Sequence, residues 1–451
     1  LWWPAFAAGG AVLAGLAILK HWLLQSTAAD LGIFVQYCWL IAHSYPATST
    51  LSGTSAFADH KAYVLYPLAF LCGPVGGPAI LLVVQAAALA AAGAVIQRLS
   101  IQIGHDSAVQ RVAVTVWFLY PTTLLLALSN FHLDVLAIPA LLAMMLYARA
   151  RAWLPYCACT FFALGCKDTL AFTVMGVGVW VFLAEQRVAG LLTVVAAVGW
   201  FTTTLWLEHG SPAHTGFVAR YAYLGDTPLH IVLHVLREPT CLFHRASVDG
   251  WLLYPAALLL PVTPWLRRRS WLAMLPALPH FILNILSSAP QQQDISYQYT
   301  AGIAPFVVLG ALDGVPKSIA EIRHFALRFA VTLGTFLWLS RIDLFFGRYL
   351  GRLPLRMPAT EAFHQIAPDD RVLAASYLTT HLAERRVIEV PMTFVEGHLE
   401  NMDVLLVSET DPGDDVQRGV VVQYVEEARR LHWSCREFGE GQLVSCRSPT
   451  R

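Results

Sequence analysis

Apolar residues fill this chain in long runs, and polar residues are confined to the short stretches between them. The runs at 79–96, 170–183 and 188–207 carry no charge. Each approaches the ~20 apolar residues that an α-helix needs to cross a bilayer. The connections hold the basic residues: Arg98 and Arg111, Arg149 and Arg151, Arg187, Arg267 to Arg269, and Lys317, Arg323 and Arg328. Basic clusters in short connections stay on the cytoplasmic side. Alternation between the two sides then predicts about eleven spans, at 4–24, 79–97, 112–129, 135–150, 154–165, 169–184, 188–207, 251–264, 271–286, 300–312 and 325–339.

Three stretches depart from this pattern. Residues 25–61 form a long first outer loop. Within it, 28–41 place Leu31, Phe34, Val35, Cys38 and Trp39 at helical spacing, which predicts a helix lying on the membrane surface. Residues 63–71 are too short to span, and the Gly/Pro-rich stretch at 73–78 breaks them, so they read as a re-entrant segment held by protein. From 342 onward the chain turns polar. Strands are expected at 372–376, 387–390 and 404–407, helices at 378–385 and 416–431, and a final hairpin around Gly439, Glu440 and Gly441. The fold class is therefore mainly α: a polytopic membrane domain over 1–341 and a small α/β domain over 342–451. The span count puts the small domain on the outer side. The hairpin sets Cys435 opposite Cys446, a disulfide pair if that compartment is oxidising. The other cysteines lie in or near apolar segments as small hydrophobes, and Cys157 and Cys159 lack metal or redox spacing.

Composition agrees with the pattern. The chain is 56% hydrophobic and 13% charged, with a mean hydropathy of +0.54, unlike soluble proteins of this length. A formal net charge of zero gives no electrostatic case for nucleic acid. The chain opens on Leu1 rather than Met, so its natural N-terminus is expected to lie outside it, and a signal peptide is not judged from it.

With this topology the outer loops collect Asp30, Asp59, His60 and Lys61, Asn130, His132 and Asp134, Lys167 and Asp168, Glu208 and His209, Asp294, Tyr297 and Tyr299. Ionisable groups at membrane depth mark function more often than chance. Each also has a plain structural reading. Asp30 is placed to take a proton from a hydroxyl, or it is a helix N-cap. Asp59, His60 and Lys61 either bind an anionic head group or are simply solvated. Lys167 and Asp168 either hold a phosphate or bind two spans together. Tyr297 and Tyr299 suit a sugar, or belong to an interfacial aromatic belt. A His two residues from a carboxylate, as at His132 and Asp134, is a weak signal for a divalent metal, and no cofactor is read.

The ordered set Asp30-Leu31-Gly32-Ile33-Phe34-Val35-Gln36, Asp59-His60, Asn130-Phe131-His132-Leu133-Asp134, Lys167-Asp168 and Tyr297-Gln298-Tyr299 resembles a bacterial family of predicted membrane proteins without an assigned reaction. That family resembles the GT-C glycosyltransferases, which include the protein mannosyltransferases and the lipid A aminoarabinose transferase. The resemblance covers most of the chain and implies a multi-pass protein of the bacterial inner membrane. It also implies transfer of a hexose or pentose from a lipid-linked (polyprenyl phosphate) donor to an acceptor at the outer face, with inversion. Asp30 would be the catalytic base. Lys61, His132 and Lys167 would stabilise the phosphate, and Asp59, Asp134 and Asp168 would orient those groups or the acceptor. Two positions depart from the pattern: Thr169 follows Lys167-Asp168 where a second acid is expected, and Lys61 follows His60 where an aromatic is expected. A lipid or solute transporter without chemistry predicts polar groups at the bilayer midplane and paired repeats. A scaffold with an outer binding domain predicts no outer-face pocket, and no effect of altering Asp30 beyond stability.

Overall fold

A run of helices leads to a small mixed sheet in the computed structural model, which describes residues 2–73, 75–207, 218–241, 249–413 and 416–449. The side chains of Asp59, His60 and Asp249, and all of Glu208 and His209, lie outside the described residues. The chain divides into two compact units. One holds 1–14, 58–64 and 84–341; the other holds 15–57, 65–83 and 342–451.

Three single helices are long and apolar enough to cross a membrane: Trp3–Trp22, Pro78–Ile103 and Arg187–Leu207. Two further pairs qualify as bent spans. Ser107–Phe118 and Pro121–Leu128 meet at 45°, and Phe325–Leu339 and Ile342–Phe363 at 52°. The expected single span at 112–129 is thus broken. Pro121 opens the second helix, where its missing N–H costs nothing. Other apolar helices are shorter, among them Trp153–Cys166 and Leu170–Ala184. The region 251–286 is cut by prolines into short α and 3₁₀ pieces from Tyr254–Leu259 to Leu278–Leu286.

In the first unit, Leu133–Arg149 packs on Trp153–Cys166, and Leu170–Ala184 on Arg187–Leu207. The second hairpin is tight because it meets at glycines. A Cβ on Gly190 would stand 2.3 Å from the backbone of Phe182, and one on Gly178 would stand 2.9 Å from that of Val194. Close approach of this kind is the usual basis of helix pairing without a hydrophobic drive. One end of the unit collects Arg149, which faces Glu185 at 3.9 Å and Asp313 at 3.6 Å. Asp106 caps Ser107–Phe118 there and also accepts from Ile319 N at 3.1 Å.

In the second unit the sheet runs β2-β1-β3-β5-β4: β1 Val372–Ala374, β2 Ile388–Glu389, β3 Val404–Val407, β4 Ser434–Phe438 and β5 Leu443–Arg447. β1 is parallel to β2 and β3; β5 is antiparallel to β3 and β4. Cys435 faces Cys446 in the β4–β5 register, and the two are joined by a disulfide. One side of the sheet buries Leu24 together with Leu355, Ala359, Leu378 and Leu406. The other is covered by Arg418–Arg430 through Val421, Tyr424 and Val425.

The first loop differs from expectation. The helix expected on the membrane surface at 28–41 is packed within its own unit. Ile33–Ala42 buries Phe34, Val35, Gln36, Tyr37, Cys38, Leu40 and Ile41, on more than one of its faces, and packs on Leu65–Cys72. Gln36 explains why. Its side chain is fully buried; it accepts from Ser49 Oγ at 2.6 Å and donates to Thr50 Oγ1 at 3.0 Å and Arg385 O at 3.3 Å. A buried amide with its bonds made is a fixture of a protein interior.

Candidate functional site

Asp134 lies in the first turn of Leu133–Arg149, where the free N–H groups favour a negative charge. Lys167 is extended between Trp153–Cys166 and Leu170–Ala184. Its Nζ meets Asp134 Oδ2 at 3.0 Å, with both side chains below a tenth exposed. The helix carrying Asp134 places this pair at the end opposite Arg149, about 22 Å away and 15 residues further along it. Lys167 Nζ also lies 5.6 Å from the centre of the Tyr299 ring, and the Arg220 guanidinium lies 5.8 Å from the same ring. Two cations therefore share an aromatic platform, one of them paired with a carboxylate, and an aromatic face attracts cations.

The supporting layer is polar and buried. Gln85 is fully buried on Pro78–Ile103. It donates to Leu126 O at 2.9 Å and Asn130 O at 2.6 Å, and accepts from His132 N at 2.8 Å. This fixes the turn before Asp134, in which Asn130 has a φ of +66°, a conformation that Asn tolerates better than most residues. Asn284 donates to Tyr254 Oη at 3.0 Å and Tyr299 O at 2.9 Å, which sets the ring under Lys167. His280 Nδ1 lies 3.1 Å from Thr173 Oγ1. Asp168 accepts from Thr169 N at 2.7 Å, so it fixes the start of the next helix.

The predicted residues thus separate. Asp134, Lys167 and Tyr299 meet directly, with Asn130, His132 and Asp168 on the same turns. Lys61 is buried at a φ of +47° in the same unit, and Val64 N donates to Gly165 O at 3.1 Å beside the Lys167 turn. Tyr297 is exposed. The backbones of Asp59 and His60 end the short helix Ala56–His60. Asp30 belongs to the other unit. Among the described residues, no three His, Cys, Asp or Glu side chains converge as metal ligands. Sequence reasoning missed Gln85, Arg220, Tyr254, His280 and Asn284. Gln85, His280 and Asn284 did leave a signal: each is a polar residue inside an apolar run, and intramembrane polar groups face the bundle interior.

A family model described as "Predicted membrane protein (DUF2079)" matches residues 20–444. No curated protein matches the chain. Among solved structures, ArnT from Cupriavidus metallidurans bound to undecaprenyl phosphate is similar at 14% identity and a TM-score of 0.53, covering 99% of this chain and 97% of that one. The same protein in the apo state is similar at 13% identity and a TM-score of 0.48, covering 98% of each. The chain accordingly shares the fold of ArnT over nearly its whole length.

Proposed function

This chain belongs to the DUF2079 family of predicted membrane proteins, and from that premise we propose that it is a GT-C glycosyltransferase using a lipid-linked sugar donor. The observation that carries the reading is the buried Lys167–Asp134 ion pair at 3.0 Å on the Tyr299 platform. Taking two charges out of water is expensive, and membrane proteins retain such charges chiefly where they act on a substrate or ion. With Arg220 beside it, the pair offers more positive than negative charge to an anion. The fold shared with ArnT, whose structure holds undecaprenyl phosphate, supports a polyprenyl phosphate as that anion.

In the proposed step an acceptor hydroxyl oxygen attacks the anomeric carbon of the donor sugar. The bond from that carbon to the phosphate oxygen breaks, and its electron pair leaves with the lipid phosphate. The hydroxyl proton passes to a carboxylate, a role the family resemblance gives to Asp30. Lys167 and Lys61 stabilise the charge that grows on the leaving phosphate, and Asp134 holds Lys167 in place. Transfer takes place on the outer side of the bacterial inner membrane, where the C-terminal domain also lies. The sugar is a hexose or a pentose.

The test is Asp30→Asn in proteoliposomes supplied with polyprenyl phosphate sugars. Loss of a general base lowers transfer by about 10²- to 10⁴-fold. Full transfer by the variant removes Asp30 from this role, and no transfer by the wild-type protein from any lipid-linked sugar, with accumulation of solute instead, favours a transporter.

A further inference from the structure

Asp30 sits in a backbone conformation that few residues other than glycine adopt. Its φ is +66° and its ψ −93°, near the strained γ-turn. Such a conformation persists only where its surroundings over-determine it, and here they do so from both sides. Ala28 N, two residues before, donates to Ser376 Oγ at 3.1 Å. Gly32, two residues after, lies so close to its neighbours that a Cβ there would stand 3.2 Å from Leu51 Cδ1 and 3.6 Å from Thr380 Cγ2. Ser376 begins the single helical turn Ser376–Thr379, and Thr380 closes it.

The next residue, His381, makes a third tie. Its ring stacks on that of His21, with centroids 4.0 Å apart and planes at 20°. His21 lies in the last turn of the helix that leads into the Asp30 loop, and its Nδ1 is 3.2 Å from Ser26 Oγ. Phe363 stacks on His381 at 5.5 Å. The charged group facing the pair from the neighbouring helix Arg356–Phe363 is Arg356, whose Nη1 is buried with no hydrogen-bond partner among the described residues. Lys20 faces it from the helix of His21 itself. His381 Nε2 is also buried, with no hydrogen-bond partner among the described residues. Burial, His21 and Arg356 together hold the His381 imidazole well below its ordinary value of 6.5.

We propose that His21, Ser376 and His381 form a proton-sensitive clamp that keeps the Asp30 loop in its positive-φ conformation. With both rings neutral the stack closes. A proton on either ring sets a positive charge against the other ring and Arg356, in a buried place where like charges repel strongly, and the clamp opens. These are positioning residues, and their bearing on transfer rests on the reading of Asp30 as the base; the clamp itself does not.

Hydrogen exchange of residues 25–33 in the full-length protein in nanodiscs tests it, at about pH 7.5 and about pH 5.5, on either side of the ordinary histidine value. After correction for chemical rate, acidification raises exchange in the wild type by about tenfold or more. His381→Phe keeps a stacking ring that cannot take a proton and lowers that rise to what His21 alone supplies; His21→Phe lowers it likewise, and with both replaced by Phe the rise is lost. Ser376→Ala raises exchange at both pH values. An equal pH response in His381→Phe and the wild type, or exchange in Ser376→Ala identical to the wild type, overturns the clamp. Asp30→Asn separates the two readings. If it retains transfer while the wild-type exchange responds to pH, Asp30 is not the base and the clamp stands. If it loses transfer while the wild-type exchange is flat, the base stands and the clamp falls.

Discussion

At the scale of residues, the Lys167–Asp134 pair makes the sharpest prediction. Each charge is buried because the other is there, so removing one leaves an uncompensated charge among apolar helices. Lys167→Met or Asp134→Asn alone should lower stability by about 3–5 kcal/mol, read as thermal unfolding in detergent. The double variant Lys167→Met with Asp134→Leu should recover most of that loss, since a buried pair is often replaceable by apolar side chains. It should not recover transfer. Recovery of both would make the pair structural and remove the observation on which the proposed function stands. These two residues were legible in the sequence as charges between apolar runs. Their pairing was not, because 33 residues separate them and each had closer charged neighbours in the chain. Asp168, the nearest of these, instead binds the backbone of Thr169.

At the scale of elements, helix pairing depends on glycine more than on apolar surface. Gly190 lies against the backbone of Phe182, and Gly178 against that of Val194. Gly190→Ala should force Leu170–Ala184 and Arg187–Leu207 apart, at a cost of about 1–3 kcal/mol, with a fall in thermal stability that a surface change such as Gly199→Ala does not share. Gly199 has open space around it. Hydrophobic runs located most helices to within a few residues. They did not reveal the breaks. Runs report where apolar residues lie, whereas a proline such as Pro121 decides whether one helix or two bent ones result. The helix Ile33–Ala42 shows the same limit: its apolar spacing suits a membrane surface and a protein interior equally, and the bonds of Gln36 select the interior.

At the scale of the whole molecule, the disulfide ties the hairpin of the C-terminal domain and reports on the side of the membrane it faces. The chain has eight cysteines, two of which are joined in this disulfide. Unfolded in detergent without reductant, protein from intact cells should take up a maleimide at six thiols, and after reduction at eight. Uptake at eight without reduction would place the domain in a reducing compartment and contradict the proposed outer location. Replacing Cys435 and Cys446 by serine should cost about 2–4 kcal/mol and lower the unfolding temperature of the domain. The pair was legible because turn glycines set the hairpin register. That residues 15–57 and 65–83 group with the domain that begins at 342 was not. Contacts such as Gln36 to Arg385 join parts of the chain that no local pattern connects.

The sequence alone determined that this is a mainly helical membrane protein, where most of its helices run, and which turns carry its charges. These are local properties: hydropathy, proline and glycine placement, and charge act over a few residues or one helix length. Tertiary structure decided the rest. It paired Lys167 with Asp134 over Tyr299, recruited Gln85, Asn284 and Arg220 to that site, and drew the first loop into the unit of the C-terminal sheet. It also held Asp30 at a positive φ through Ser376 and set His21 on His381. Each of those depends on groups distant in the chain satisfying one another's charge, hydrogen bonds or shape, and a pattern of neighbours along the chain does not encode which distant groups will meet.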